Sequence, residues 1–242
     1  MTRLSLLLAI AVLGGCSPTP PAAPKTPPAQ SSHAEHEGHG MAHTDTLAAV
    51  IVADSGWENL QVAKPAKLKF HLEVSKKKVA AFDVLHEKEM HFIVVRDALD
   101  EFQHLHPTVN ADGTAEVELT LVKAGVFHIY IDYKALDLPA NTAKKTITVK
   151  GKPAASPALQ INAPGQVMAD DLAVDIKISS SSANQPQTIS FQLKDRQTGM
   201  PVEDLEQYLG AMGHLVVIRA ATKDYIHAHP EAASKSANEV TF

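Results

Sequence analysis

The sequence predicts an all-β chain, built as two tandem immunoglobulin-like antiparallel β-sandwich modules behind a disordered N-terminal tether. Three observations predict it. From about residue 46 onward, short apolar runs of period two, rich in Val, Ile, Phe and Thr, alternate with turn residues. The stretch EFQHLHP (101–107) returns as DYIHAHP (224–230), as one template used twice would produce. The first 45 residues show neither strand nor helix periodicity.

Residues 1–15 read as an export signal: Arg3, then the apolar run LSLLLAIAVL. The run is about ten residues, half the roughly 20 that a membrane-crossing helix requires. It ends in LGGC, which resembles the lipobox of bacterial lipoproteins and makes Cys16 the expected lipidation site. Cys16 is the single cysteine, so once acylated it leaves no thiol for disulfides, thiolate metal sites or nucleophilic catalysis. Ser17 stands where inner-membrane retention calls for Asp. Attachment by lipid to the outer membrane, facing the periplasm, is therefore the expected location within the cell envelope.

Residues 16–45 form the tether. SPTPPAAPKTPPAQSS is Pro-rich and too poor in apolar side chains to fold. HAEHEGHGMAH follows, and its four imidazoles, His33, His36, His39 and His43, suit loose metal capture as well as solubility.

The first module spans 46–151. Its runs KLKFHLEV, KVAAFDVL, MHFIVVRD, AEVELTLV, VFHIYIDY and KKTITVKG read as strands, with NADG and KAG as turns. About seven short strands in some 100 residues suit a sandwich, although the Cys, Trp, Cys hallmark of immunoglobulin domains is missing. GKPAASPA contains the linker, 152–158, and the second module spans 159–242 with LAVDIKIS, TISFQLKD, GHLVVIRA and EVTF. His91 to Pro107 and His214 to Pro230 are both 16 residues, while Phe70 to His91 is 21 and Phe191 to His214 is 23, a difference that fits one loop. Counterparts of the first module's last two strands are absent from the second. That module is expected to be incomplete at its C-terminus, or to have its edge supplied by a partner.

The repeated motif defines the candidate site. With DALD (97–100) as the turn, Arg96 lies opposite Glu101, Val95 opposite Phe102, Ile93 opposite His104 and His91 opposite His106. With AATK (220–223), Arg219 lies opposite Asp224, Ile218 opposite Tyr225, Val216 opposite His227 and His214 opposite His229. Each hairpin thus places three histidines on one face, with an opposite-charge pair at the turn. Opposed Cβ atoms about 4.5–5.5 Å apart allow two imidazoles to reach one ion. His86, Met90 and His128 in the first module and Met212 in the second are further candidates. Imidazole and thioether donors without thiolate suit copper first and zinc second. The alternative is that these histidines hydrogen-bond strand-end backbone and serve a structural or interaction module of the envelope. His71, alone in an alternating strand, reads as structural, and Trp57, Phe70 and Tyr130 read as core.

Other functions find little support. The net charge is −5 with no basic stripe, which argues against nucleic acid. There is no phosphate loop, nucleophile elbow or spaced carboxylate pair, so no enzyme is expected.

HEKEMHFIVVRDALDEFQHLHP with GVFHIYIDY, and LEQYLGAMGHLVVIRAATKDYIHAHP in the second half, resemble a family of secreted and lipid-anchored bacterial proteins, mostly uncharacterised. They carry tandem immunoglobulin-like modules with an H-x-H-P motif and are labelled heavy-metal or copper associated. His86, His91, His104 and His106 match its first motif; Gly210, His214, His227 and His229 match its second. The resemblance covers about residues 65–242 and departs at the end, where the family's closing hairpin is missing. The resemblance implies an association with heavy metals, and taken with the residues it leads to an envelope protein that binds or buffers a transition metal, with a metal-efflux or other envelope protein as the expected partner.

Overall fold

The computed structural model describes the backbone of residues 7–12, and residues 49–85, 87–152, 155–156, 158, 165–179, 182, 185–207, 211–230 and 237–242. Sixteen strands and no helix occur among them. In chain order the first strands are β1 (Leu7–Val12), β2 (Val50–Ser55), β3 (Ala66–Val74), β4 (Lys77–Lys78), β5 (Met90–Arg96) and β6 (Phe102–Leu105). Next are β7 (Thr108–Val109), β8 (Thr114–Leu119), β9 (Gly125–Tyr133) and β10 (Asn141–Val149). The second half supplies β11 (Gln166–Ala169), β12 (Leu172–Ile178), β13 (Ile189–Asp195), β14 (His214–Arg219), β15 (Tyr225–Ala228) and β16 (Glu239–Thr241).

Two sheets form the first module. One runs β2-β3-β8-β7 with β4 on β3, the other β10-β9-β5-β6, and every pairing in both is antiparallel. Period-two alternation turns Leu68, Phe70 and Leu72 of β3 inward to meet Phe92, Val94, Phe127 and Ile129 from the facing sheet. Trp57 closes one end, its ring edge-on to Phe70 and its Nε1–H donating to the Lys69 carbonyl at 2.8 Å. Tight turns set the registers. The β3–β4 hairpin turns through Ser75 and Lys76, both at positive φ, which matches the right-handed strand twist. In NADG, Gly113 has φ of +79°, and a Cβ there would collide with the Val79 carbonyl oxygen.

KVAAFDVL departs from the expected strand. Only Lys78 of it belongs to a strand, and beyond it the described chain makes single bridges, Phe82 to Ala135 and Leu85 to Lys88. Its pattern is met differently: Phe82 is buried edge-on against Tyr133, an anchor that does not require ladder pairing. Strands β2 and β11 lie outside the runs named from sequence. β2 pairs with β3, and β11 pairs with β12 through a turn at Asp170, which is at positive φ.

The second module repeats the plan with sheets β11-β12-β13-β16 and β1-β14-β15 around Leu172, Val174, Phe191, Leu193 and Leu215. β1, from the run read as the export signal, pairs in parallel along β14 from Leu7–His214 to Val12–Arg219. It flanks β14 where β9 flanks β5. No helix among the described residues is long and apolar enough to cross a membrane.

The site depends on a third apolar cluster, which belongs to neither core. Ile93, Val95 and Tyr130 of the first module pack on Val216, Ile218 and Tyr225 of the second, with Leu99 and Phe102 at the margin. Tyr130 and Tyr225 stack, centroids 4.3 Å apart and planes 10° from parallel. β5 is therefore buried at all seven positions, because one face lines its own core and the other meets the second module. Tyr130, read from sequence as core, lies at this contact.

Candidate metal centre

The hairpins that carry the histidines fold in the expected registers. Phe102 pairs with Val95 and His104 with Ile93; Tyr225 pairs with Ile218 and His227 with Val216. In the first copy Arg96 stands opposite Glu101 as expected, its amide donating to the Glu101 carbonyl at 2.9 Å, while its side chain takes another partner. Arg96 is paired with Asp100, 2.9 Å from each oxygen, because Glu101 is engaged by the Val122 and Lys123 backbone amides at 2.6 and 2.8 Å. In the second copy Arg219 does meet Asp224, at 3.3 Å.

The two histidine faces meet at one end of the contact between modules. Within the first hairpin the ring centroids are 5.3 Å (His91–His104), 4.9 Å (His91–His106) and 4.7 Å (His104–His106) apart. The second gives 5.6 Å (His214–His227), 4.7 Å (His214–His229) and 4.6 Å (His227–His229). The copies agree within 0.3 Å. Across the contact, His104 lies 5.2 Å from His227 and 5.3 Å from His214, and His91 lies 5.3 Å from His227. Six imidazoles form one cluster.

Two groups of three within it could hold a metal ion. One is His91, His104 and His227; the other is His214, His227 and His229; in each, the ligand atoms lie within 4.8 Å of one another. The first differs from the triad expected within one module, because a histidine of the second module takes the third place. His106 stays close, its Nε2 3.2 Å from His91 Nδ1, while His104 Nε2 is 3.1 Å from the same atom. Ligand nitrogens around a tetrahedral ion with metal–nitrogen distances of 2.0–2.1 Å lie roughly 3.3 Å apart. The spacing present is already close to that required.

The protonation states suit metal ligation. Burial lowers His91 to about 3, opposed by its backbone hydrogen bond at Leu85 and reinforced by His227 and His106. Burial likewise brings His104 to about 2 with the neighbouring imidazoles adding, and His106 to about 4 with Lys88 adding. All three are neutral at physiological pH, the form that binds metals. The Leu85 carbonyl can only accept, at 3.0 Å, so His91 carries its proton on Nε2 and presents a lone pair on Nδ1. Two buried ring nitrogens, His104 Nδ1 and His227 Nε2, find no hydrogen-bond partner.

His227 is oriented by a residue the sequence reading did not single out. Its Nδ1 lies 2.8 Å from Asp132, whose carboxylate also accepts from Tyr225 Oη at 2.7 Å and Thr142 Oγ1 at 2.6 Å. Full burial alone would raise Asp132, but the bonds from His227, Thr142 and Tyr225 outweigh it and hold the carboxyl below its usual value. Tyr225 is pushed well above its ordinary value, first by burial and then by Asp132. The ionised carboxylate fixes the His227 proton on Nδ1 and leaves Nε2 as the lone pair. The signal was visible in VFHIYIDY, where Asp132 is the one acidic residue in an apolar strand.

The remaining candidates lie elsewhere. Met90 points into the first core, on the opposite face of β5 from His91, since neighbours in a strand alternate. Met212 packs in the second core and lines a small apolar pocket with Leu205, Phe191 and Phe242. His214 of the cluster lines the same pocket. His128 bonds Asp97 at 2.8 Å, and His71 contacts Asp54 and Glu73. His86, Gly210, Cys16 and the tract His33, His36, His39 and His43 lie outside the described residues.

The sequence profile of a domain of unknown function (DUF8832) matches residues 47–151 and 166–242. The chain belongs to this family. No curated protein matches it. Among solved structures, a tetra-tandem repeat from the extending region of a large adhesion protein is 11% identical, covering 81% of this chain and 40% of its own, with a TM-score of 0.31. TarS of S. aureus is 9% identical, covering 81% and 34%, with a TM-score of 0.24. The chain thus spans less than half the length of either.

Proposed function

We propose that this DUF8832 protein binds or buffers a transition metal, copper in preference to zinc, at the histidine cluster between its two modules. The observation that carries this reading is the unsatisfied nitrogen of His227 amid the clustered imidazoles. A structural role would use up the imidazole hydrogen-bonding capacity, as His91 does at the Leu85 carbonyl, yet His227 Nε2 is buried with no partner. An ion supplies what it lacks, with His104 joining through the Nε2 that lies 3.1 Å from His91 Nδ1. Neutral imidazoles without a thiolate favour copper over zinc in the general order of divalent affinities.

The cellular setting belongs to the same proposal. Lipid on Cys16 would hold the protein at the outer membrane, facing the periplasm, with the tract from His33 to His43 as a loose collector and a metal-efflux or other envelope protein as the exchange partner. The role is that of a binding protein and not of an enzyme.

The test is calorimetric titration of copper and of zinc into the full chain, with His33, His36, His39 and His43 changed to Ala so that only the buried cluster is read. A companion variant adds His91→Ala, His104→Ala and His227→Ala. Tight binding by the parent and its loss from the companion is the expected result. Equal, weak binding by both, with a drop in Tm only for the companion, would leave the structural reading standing.

A further inference from the structure

We infer that metal binding and docking of the two modules are a single linked equilibrium, in which Asp132 of the first module is the positioning residue for His227 of the second. The inference deepens the metal reading above and rests on it.

Both groups of ligands depend on the contact between modules. The first takes His91 and His104 from one module and His227 from the other, so it exists only when they are docked. The second, His214, His227 and His229, lies wholly in one module but still needs docking. His227 Nδ1 finds Asp132 at 2.8 Å across the contact. Without that carboxylate the imidazole has no fixed tautomer, and its proton is as free to sit on Nε2, where it blocks the metal. Tyr225 is held by the same carboxylate, and Tyr130 spans the contact from the other direction, stacking on Tyr225 and donating to the Lys223 carbonyl at 2.7 Å. Asp132 makes these bonds from β9, where it pairs with His91. By linkage, whatever favours docking favours the metal, and the metal favours docking by the same factor.

The test uses the full chain with the four tether histidines replaced, copper and zinc ions as probes, and hydrogen exchange read by mass spectrometry over β5 and β14. Metal is expected to slow exchange in both strands. Ile218→Asp, which puts a charge into the contact and leaves all six cluster histidines in place, is expected to weaken binding by more than about tenfold. Tyr130→Leu, which removes the stack and the hydrogen bond to Lys223 with less disturbance to folding, is expected to weaken it less but measurably. Asp132→Asn is expected to weaken binding by roughly 10- to 100-fold. In that variant, nitrogen NMR of metal-free protein is expected to show His227 passing from a proton fixed on Nδ1 to a mixture of tautomers, a change that a merely structural role would not produce. If the parent binds metal and Tyr130→Leu and Asp132→Asn bind it equally well, or if metal leaves exchange in β5 and β14 unchanged, the linkage is wrong while the metal reading stands. If the parent binds no metal, both fall.

Discussion

His227 is the residue on which most of the chemistry converges. It belongs to both ligand groups, and with Nδ1 committed to Asp132 it has one nitrogen to offer. His227→Ala is therefore expected to weaken metal binding by more than about 100-fold, because it removes a ligand from either arrangement. His106→Ala, outside both groups, is expected to cost far less; titration of the two variants side by side decides it. The buried imidazoles also set a pH dependence. His91, His104 and His106 have folded-state values of about 3, 2 and 4 against 6.5 when exposed. Between these limits the unfolded chain binds more protons than the folded one, so stability falls as pH falls. Metal-free protein is expected to lose Tm between pH 6.5 and pH 5, above the range where most carboxylates titrate. A variant with Gln at these three positions should show a flatter profile in that window.

At the scale of elements, β5 and β14 are the unusual strands. MHFIVVR and HLVVIR are almost continuously apolar because each buries two faces, one in a core and one in the contact between modules. Ile93→Ala leaves its own core intact but opens a cavity at the contact, and a loss of about 2–5 kcal/mol is expected from denaturant unfolding. Val126→Ala, on an exposed position of β9, is expected to change stability little. The hairpin registers were legible in the sequence because alternation and the short turns leave one pairing that keeps all six apolar and imidazole side chains on one face. The meeting of the two faces was not. Period two states that a side is apolar; it does not state whether the module's own second sheet or another module covers it. Asp132 was missed for a related reason, since an acidic residue near a strand end reads as a solvated edge unless its cover is known. KVAAFDVL misled for the opposite reason: its apolar residues are anchored singly, as Phe82 is on Tyr133, and no ladder is needed to bury them.

For the whole molecule, the shared ligand limits capacity. Since a single Nε2 cannot serve two ions, the groups cannot be filled together, and the cluster is expected to take one ion per chain despite its six imidazoles. Native mass spectrometry of the chain lacking the tether histidines should show one bound copper or zinc ion at saturation. Two ions would mean that His227 gives up Asp132 to bridge them.

The two hairpins are nearly identical, yet Asp132, on β9 beside the first of them, orients a histidine of the second, and a single chain places such a residue more freely than a symmetric dimer does. A dimer of one such module would present every contact twice, so a carboxylate placed to orient one histidine would have to appear against its symmetry mate as well. Joining the copies in one polypeptide removes that obligation. In the first copy Asp132 stands opposite His91 and reaches across to His227 of the second. The carboxylate and the imidazole it orients lie in different copies, so each copy is free to specialise for its own part of the cluster.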